Sequence, residues 1–207
     1  MNDKSAMKTV WKETLILTVI TLLSGLLLGF VYEQTKDPIR QQHEKAIQEA
    51  CRAVFPKENG VTFEAISYVP VESLQAELQG NGVKIGTIYS AQKGEEKIGY
   101  VVETTSSEGY GGNIVLYVGV TVDGLLNEVS ILSISETPGL GMQAEKVLLP
   151  QMSEMNVAQI RYTKNGKEAE DEIDAISGAT ITTKAVTNAV NGALKTIQEM
   201  RGGDGNE

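Results

Sequence analysis

Residues 174–200 read DAISGATITTKAVTNAVNGALKTIQEM, a turn rich in hydroxyls and small residues that runs straight into a segment of helical period. Ala185, Val186, Ala189, Val190, Ala193, Leu194 and Ile197 recur at spacings that put them on one face, which predicts an amphipathic helix from Thr183 to about Met200. A helix with one apolar stripe must bury it against another element, and the chain upstream supplies a sheet. Lys84–Ala91, Lys97–Glu103, Asn113–Val122 and Leu126–Ile134 are short β-rich stretches, and Lys93-Gly94 and Asp123-Gly124 mark turns between them. The simplest arrangement is an antiparallel sheet packed with helices, an α+β domain. Within it, Gln143–Leu149 reads as a short helix ended by Pro150. Asn165-Gly166 predicts a hairpin tip joining Ile160–Thr163 to the residues before Asp174.

Toward the N-terminus the pattern changes. Leu15 to Tyr32 carries no charge, Glu13 and Glu33 bracket it, and Trp11 and Tyr32 stand where interfacial aromatics belong. No small-x-small cleavage site follows, so an uncleaved transmembrane anchor is expected rather than a signal peptide. Gly25 and Gly29 form a G-x-x-x-G pair that would admit a second helix, although glycine is common in membrane helices in any case. Lys4, Lys8 and Lys12 before the segment are matched by Lys36, Arg40 and Lys45 after it, so charge alone does not orient the anchor. Pro38 can open a further helix, with Ile39, Ala46, Ile47, Ala50, Val54 and Phe55 on its buried face and Pro56 at its end. The expected organisation is a short cytoplasmic N-terminus (1–14), an anchor (15–32), a juxtamembrane helix (33–56), one domain (57–200) and a polar tail (201–207).

Composition narrows the chemistry. The net charge of -9 argues against nucleic acid, since the basic residues are not clustered. Cys51 is the only cysteine and His43 the only histidine, so this chain alone builds neither an internal disulfide nor a cysteine/histidine metal centre. No metal site and no catalytic residue is expected, and redox chemistry would have to come from an organic cofactor.

Three segments could hold one. Asp174-Ala175-Ile176-Ser177-Gly178-Ala179-Thr180 presents hydroxyls before a helix N-terminus, where free N–H groups and the helix dipole favour an anion such as phosphate. Ser and Thr at such a position also serve simply as caps, the reading that fits Thr182 and Thr183. In Glu136-Thr137-Pro138-Gly139-Leu140-Gly141, Pro138 and Gly139 make a tight turn, the glycines allow close backbone approach and Leu140 offers an apolar face; a plain surface turn would look the same. Gly109-Tyr110-Gly111-Gly112 leads into a strand and by itself reads as a flexible loop.

Asp-x-x-Ser-Gly-Ala-Thr resembles the flavinylation motif of FMN-binding domains. The resemblance implies that a flavin transferase, using FAD and a divalent metal, joins FMN through a phosphoester to Thr180, with Asp174, Ser177, Gly178 and Ala179 as recognition elements. The Glu136, Thr137, Pro138, Gly139, Leu140, Gly141 loop resembles the one that lies against the flavin ring in that family. Gly109 with Tyr110, Gly111 and Gly112 resembles its glycine-rich approach to a core strand. Many members of that family carry a histidine just before the Glu-Thr-Pro loop, where this chain has Ile134-Ser135.

From anchor to terminal helix the chain resembles the G subunits of Rnf electron-transport complexes. That family implies a relay subunit within an assembly that oxidises reduced ferredoxin, reduces NAD and moves sodium ions or protons. It also implies other Rnf subunits as partners and a domain on the outer face of the cytoplasmic membrane. Two alternatives stand beside it: a component like the longer C subunit of sodium-translocating NADH:quinone reductase, and a flavin-free membrane-anchored scaffold.

Overall fold

The computed structural model describes residues 3–155 and 157–203 of the chain, which divides into two compact units after Lys45. The first unit consists of the greater part of helix α1 (Asp3–Ala53). Its apolar residues from Leu15 to Tyr32 are exposed along their length, and the helix is long and apolar enough to cross a membrane. Thr14, Thr18, Thr21 and Thr35 turn their hydroxyls back onto carbonyls one turn earlier, which satisfies those polar groups within the helix itself.

Helix α1 does not begin again at Pro38, as the sequence suggested; it passes through it. Proline removes one hydrogen bond from a helix interior, and the turns on either side carry the helix across the gap. Ile39 is accordingly exposed and belongs to no buried face, whereas Ala50, Val54 and Phe55 are buried as expected, with Cys51 buried beside them.

The second unit is built on strands β1 (Val61–Ile66), β2 (Val83–Lys93), β3 (Glu96–Ser106), β4 (Ile114–Thr121) and β5 (Leu126–Ser133), an antiparallel sheet in which neighbours in sequence are neighbours in space. The turns at Gly94 and Gly124 take positive φ, at 64° and 84°, a conformation that glycine adopts without strain. Strand β1 and helix α2 (Glu72–Gly80) were not legible from periodicity: β1 is an edge strand of mixed exposure, and α2 buries only Leu74 and Leu78.

Alternation along the strands gives the sheet two covered faces. On one, Val102, Ile114, Leu116, Val118 and Val120 meet the terminal helix α5 (Thr180–Gly203). Every residue assigned to the α5 stripe, from Ala185 to Ile197, has 0% exposure. On the other face, Val101, Tyr117 and Ala91 pack against Ala50, Cys51, Val54 and Phe55 at the end of α1. Gly119 is required there, because a Cβ on it would stand 2.7 Å from the Val54 carbonyl oxygen.

Between the sheet and α5 run a 3-10 turn (Gly141–Gln143), the short helices α3 (Ala144–Val147) and α4 (Leu149–Met152), and strands β6 (Arg161–Thr163) and β7 (Glu172–Asp174). Pro150 does not end a helix but stands in the first turn of α4, where its missing N–H costs nothing. Strands β6 and β7 form a parallel pair rather than the expected hairpin. The Arg161 N–H donates to the Asp171 carbonyl and the Ala175 N–H to that of Thr163, so the loop through Gly166 returns to the start of β6 before β7 runs alongside it. The polar tail expected from residue 201 is helical through Gly203, and residues 204–207 lie outside the described residues. Arg201 extends the contact by donating to the Asp123 carbonyl in the β4–β5 turn.

Candidate functional site

Helix α5 starts three residues before the position periodicity suggested, because the apolar stripe begins only at Ala185 while the hydrogen bonds begin earlier. The Thr183 N–H donates to the Ala179 carbonyl at 3.0 Å, which makes Thr180 the first helical residue instead of the last of the turn. Gly178 takes φ 77° just before it, so the chain enters the helix through a left-handed position that a side chain would strain.

The three threonines at this helix head have different environments. Thr183 Oγ1 accepts from the Ile176 N–H at 3.1 Å and donates to the Ala179 carbonyl at 3.0 Å, so it closes the turn. Thr182, read from sequence as a cap, is not one: its hydroxyl donates to Glu136 Oε2 at 2.9 Å, and only 1% of the residue is exposed. Thr180 is partly exposed, and among the described residues its hydroxyl has no hydrogen-bond partner.

Thr180 opens onto a cleft of about 500 Å³ lined by Tyr110, Glu136, Thr137, Leu140, Gly141, Gly178, Ala179, Ile181 and Thr182. All three motif segments therefore meet in one place, although 70 residues of chain separate the first from the last. Tyr110, Leu140 and Ile181 remain 72%, 41% and 52% exposed. Large apolar and aromatic surfaces left uncovered around one hydroxyl are what a planar, partly apolar ligand would cover.

The remaining sequence-selected residues sit around this cleft in different roles. Pro138 and Gly139 form the exposed turn of the Glu136–Gly141 loop, with Gly139 at φ 77°. Gly111 and Gly112 lie in the loop before β4 and do not line the cleft; a Cβ at Gly111 would overlap the Ser135 carbonyl, so this glycine lets two loops touch. Gly141 has the same function against Thr182 Oγ1 and Glu136, which a Cβ would meet at 2.6 and 2.7 Å. Asp174 and Ser177 are exposed and do not line the cleft; the Asp174 N–H donates to Gln151 Oε1 at 2.7 Å.

Two links fasten α5 to the glycine loop. At the surface, Lys184 donates to Glu108 Oε2 at 2.9 Å, and this hydrogen bond raises the lysine above its ordinary pKa. In the interior, Glu136 accepts from the Gly111 N–H at 3.2 Å through one oxygen and from Thr182 through the other. Sequence reading missed Thr182 and Ile181 as parts of the site. The signal for Thr182 was a partner 46 residues away, which no local pattern records.

The Thr180 hydroxyl, unpartnered among the described residues, stands at the start of α5, where helix N–H groups lack intrahelical partners, and the adjoining wall of the cleft is apolar. A model of the FMN-binding domain family matches residues 109–195, a span that contains all three motif segments, and a model of the RnfG N-terminal region matches residues 1–54. The G subunit of the Na(+)-translocating ferredoxin:NAD(+) oxidoreductase complex of Acetobacterium woodii is 31% identical, with 93% of this chain and 94% of that protein covered. Its counterpart in the proton-translocating ferredoxin:NAD(+) oxidoreductase complex of Clostridium ljungdahlii is 34% identical, with 94% and 95% covered. Among solved structures, Shewanella oneidensis NqrC aligns with a TM-score of 0.46 at 20% identity, covering 58% of this chain and 61% of that one.

Proposed function

The chain belongs to the family of Rnf complex G subunits, and from that premise we propose that it is a membrane-anchored electron-transfer subunit carrying FMN on the Thr180 hydroxyl. The observation that carries the reading is the contrast at the head of α5, where Thr182 and Thr183 spend their hydroxyls on protein partners and Thr180 faces the cleft with none. Attachment requires an external flavin transferase, because an aliphatic hydroxyl is a weak nucleophile at neutral pH and Glu136, the carboxylate that lines the cleft, is engaged by Gly111 and Thr182 and not by Thr180. In that reaction the Thr180 oxygen bonds to the FMN phosphorus of FAD, the pyrophosphate bond breaks, and AMP leaves with the proton.

Bound there, the flavin supplies one- or two-electron redox chemistry, and the protein's part is to hold and tune it. Gly178, with its positive φ, brings the turn close; Leu140, Tyr110 and Ile181 offer the apolar wall; Thr137, Pro138 and Gly139 shape the loop that carries Leu140. Asp174 and Ser177, exposed outside the cleft, are suited to recognition by the transferase rather than to contact with the ring. Helix α1 anchors the subunit beside the other subunits of an Rnf-type ferredoxin:NAD oxidoreductase that translocates ions. Of the relatives named above, one belongs to a sodium-translocating complex and the other to a proton-translocating one.

We further propose that the domain lies on the outer side of the cytoplasmic membrane, a reading supported by family resemblance and not by the balanced lysines and arginines around the anchor. The deciding experiment is coexpression of the full chain with its flavin transferase, followed by peptide mapping of the fluorescent band from a denaturing gel. FMN mass on the peptide containing Thr180 is expected. An unmodified peptide from protein exposed to active transferase overturns the reading.

A further inference from the structure

Glu136 stands out by its cost. Among the described residues it is the one charged side chain that is buried, at 6% exposure, and among them no lysine or arginine pairs with it. Taking a carboxylate out of water without a cation is expensive, and its two hydrogen bonds, from Gly111 and Thr182, offset only part of that. A neutral glutamine would make both bonds: its carbonyl oxygen would accept from Gly111, and its amide would donate to a rotated Thr182 hydroxyl. A tie between two loops therefore does not account for the charge.

Position does. Glu136 lines the same cleft as Thr180, so its carboxylate is a fixed negative charge in a poorly solvated wall of the flavin site. Reduction of a flavin adds electron density beside that charge, which opposes it. We propose that Glu136 is the positioning residue of this cleft, fastening the glycine loop to the head of α5, and that its charge lowers the potential of the flavin held on Thr180. This rests on the attachment reading given above.

The two halves separate in two variants of the full-length protein. In the unflavinylated chain, amide exchange at Gly111 reports the tie. Glu136→Ala is expected to speed it about tenfold, the effect of losing one hydrogen bond to a charged acceptor, and Glu136→Gln to restore the protection. In the flavinylated chain, a spectroscopic redox titration of Glu136→Gln is expected to give a more positive midpoint potential than the parent. Unchanged Gly111 exchange in the alanine variant overturns the positioning role, and an unchanged or more negative potential in the glutamine variant overturns the charge role. If Glu136→Ala does not fold, as circular dichroism would reveal, faster Gly111 exchange in a folded Thr182→Val variant supports the tie and unchanged exchange overturns it. Flavin mapped to a residue other than Thr180 in the parent chain defeats the attachment reading instead, and the exchange measurement still tests the tie.

Discussion

The Thr183 hydroxyl bridges the Ile176 N–H, at 3.1 Å, and the Ala179 carbonyl, at 3.0 Å, so a single side chain inside α5 fixes the turn that presents Thr180. The donor at Ile176 is buried, so loss of its acceptor would leave it unpaired. Thr183→Val should therefore lose about 1–3 kcal/mol of stability in urea unfolding, the cost of stranding a buried polar group, whereas Thr183→Ser should lose far less.

Thr180→Val removes a hydroxyl that faces the cleft and has no protein partner among the described residues, and it adds no bulk. In-gel flavin fluorescence should vanish, while the unfolding free energy from urea titration stays within about 0.5 kcal/mol of the parent, the usual range for a substitution outside the core. Persistent covalent flavin in this variant would identify another acceptor.

Gly111→Ala tests the contact between the two loops. Its Cβ would overlap the Ser135 carbonyl, a backbone atom that cannot swing aside, so either loop must shift. The expected outcome is a loss of about 1–3 kcal/mol from overpacking together with reduced flavin loading by the transferase. Full loading at unchanged stability would show that the loops do not need this approach.

Cys51 lies beyond the apolar Leu15–Tyr32 segment, packed on the sheet, where burial and then the Glu103 charge push its thiol from 9.0 up to about 12. The Tyr117 phenol beside it is raised in the same way, by burial first and then by Glu103. For a group held neutral in the folded state, the unfolded chain releases its proton first as pH rises. The stabilising contribution of Cys51 is thus complete below about pH 9 and declines from there toward about pH 12. Urea midpoints should fall between about pH 8 and about pH 10.5, and Cys51→Ala should flatten part of the slope. At about pH 8, iodoacetamide should label the thiol only after unfolding.

Leu194 is fully buried between α5 and the sheet. Leu194→Ala should cost about 2–5 kcal/mol in thermal or urea unfolding, by lost burial and the cavity left behind. A cost below 1 kcal/mol would mean that the helix can settle into the space.

What local pattern could encode was legible. The α5 stripe, strands β2 to β5, the turns at Gly94 and Gly124 and the apolar N-terminal segment each depend on residues a few positions apart, and the buried face of α5 matched residue by residue. Strand β1 and helix α2 escaped because few of their residues are buried, which leaves little alternation to detect. The boundary errors at Pro38 and Thr183 arose where helical hydrogen bonding extends beyond the periodic apolar residues, past the end of the apolar segment at Pro38 and ahead of the start of the stripe at Thr183. The parallel pairing of β6 with β7 depends on where a long loop returns, which the Asn165-Gly166 turn signal does not report.

By itself, then, the sequence determined the α+β class, the anchor and the three segments that gather at the cleft, because propensity, period and turn chemistry are local properties of the chain. Only the tertiary structure decided how those segments divide the work: that Thr182 is engaged by Glu136, that Glu136 also holds Gly111, and that Thr180 is left facing the cleft. Those assignments depend on which polar groups are buried together across 25 and 46 residues of chain. Burial sets the cost of an unpaired group, and it exists only once the sheet and α5 have closed on each other.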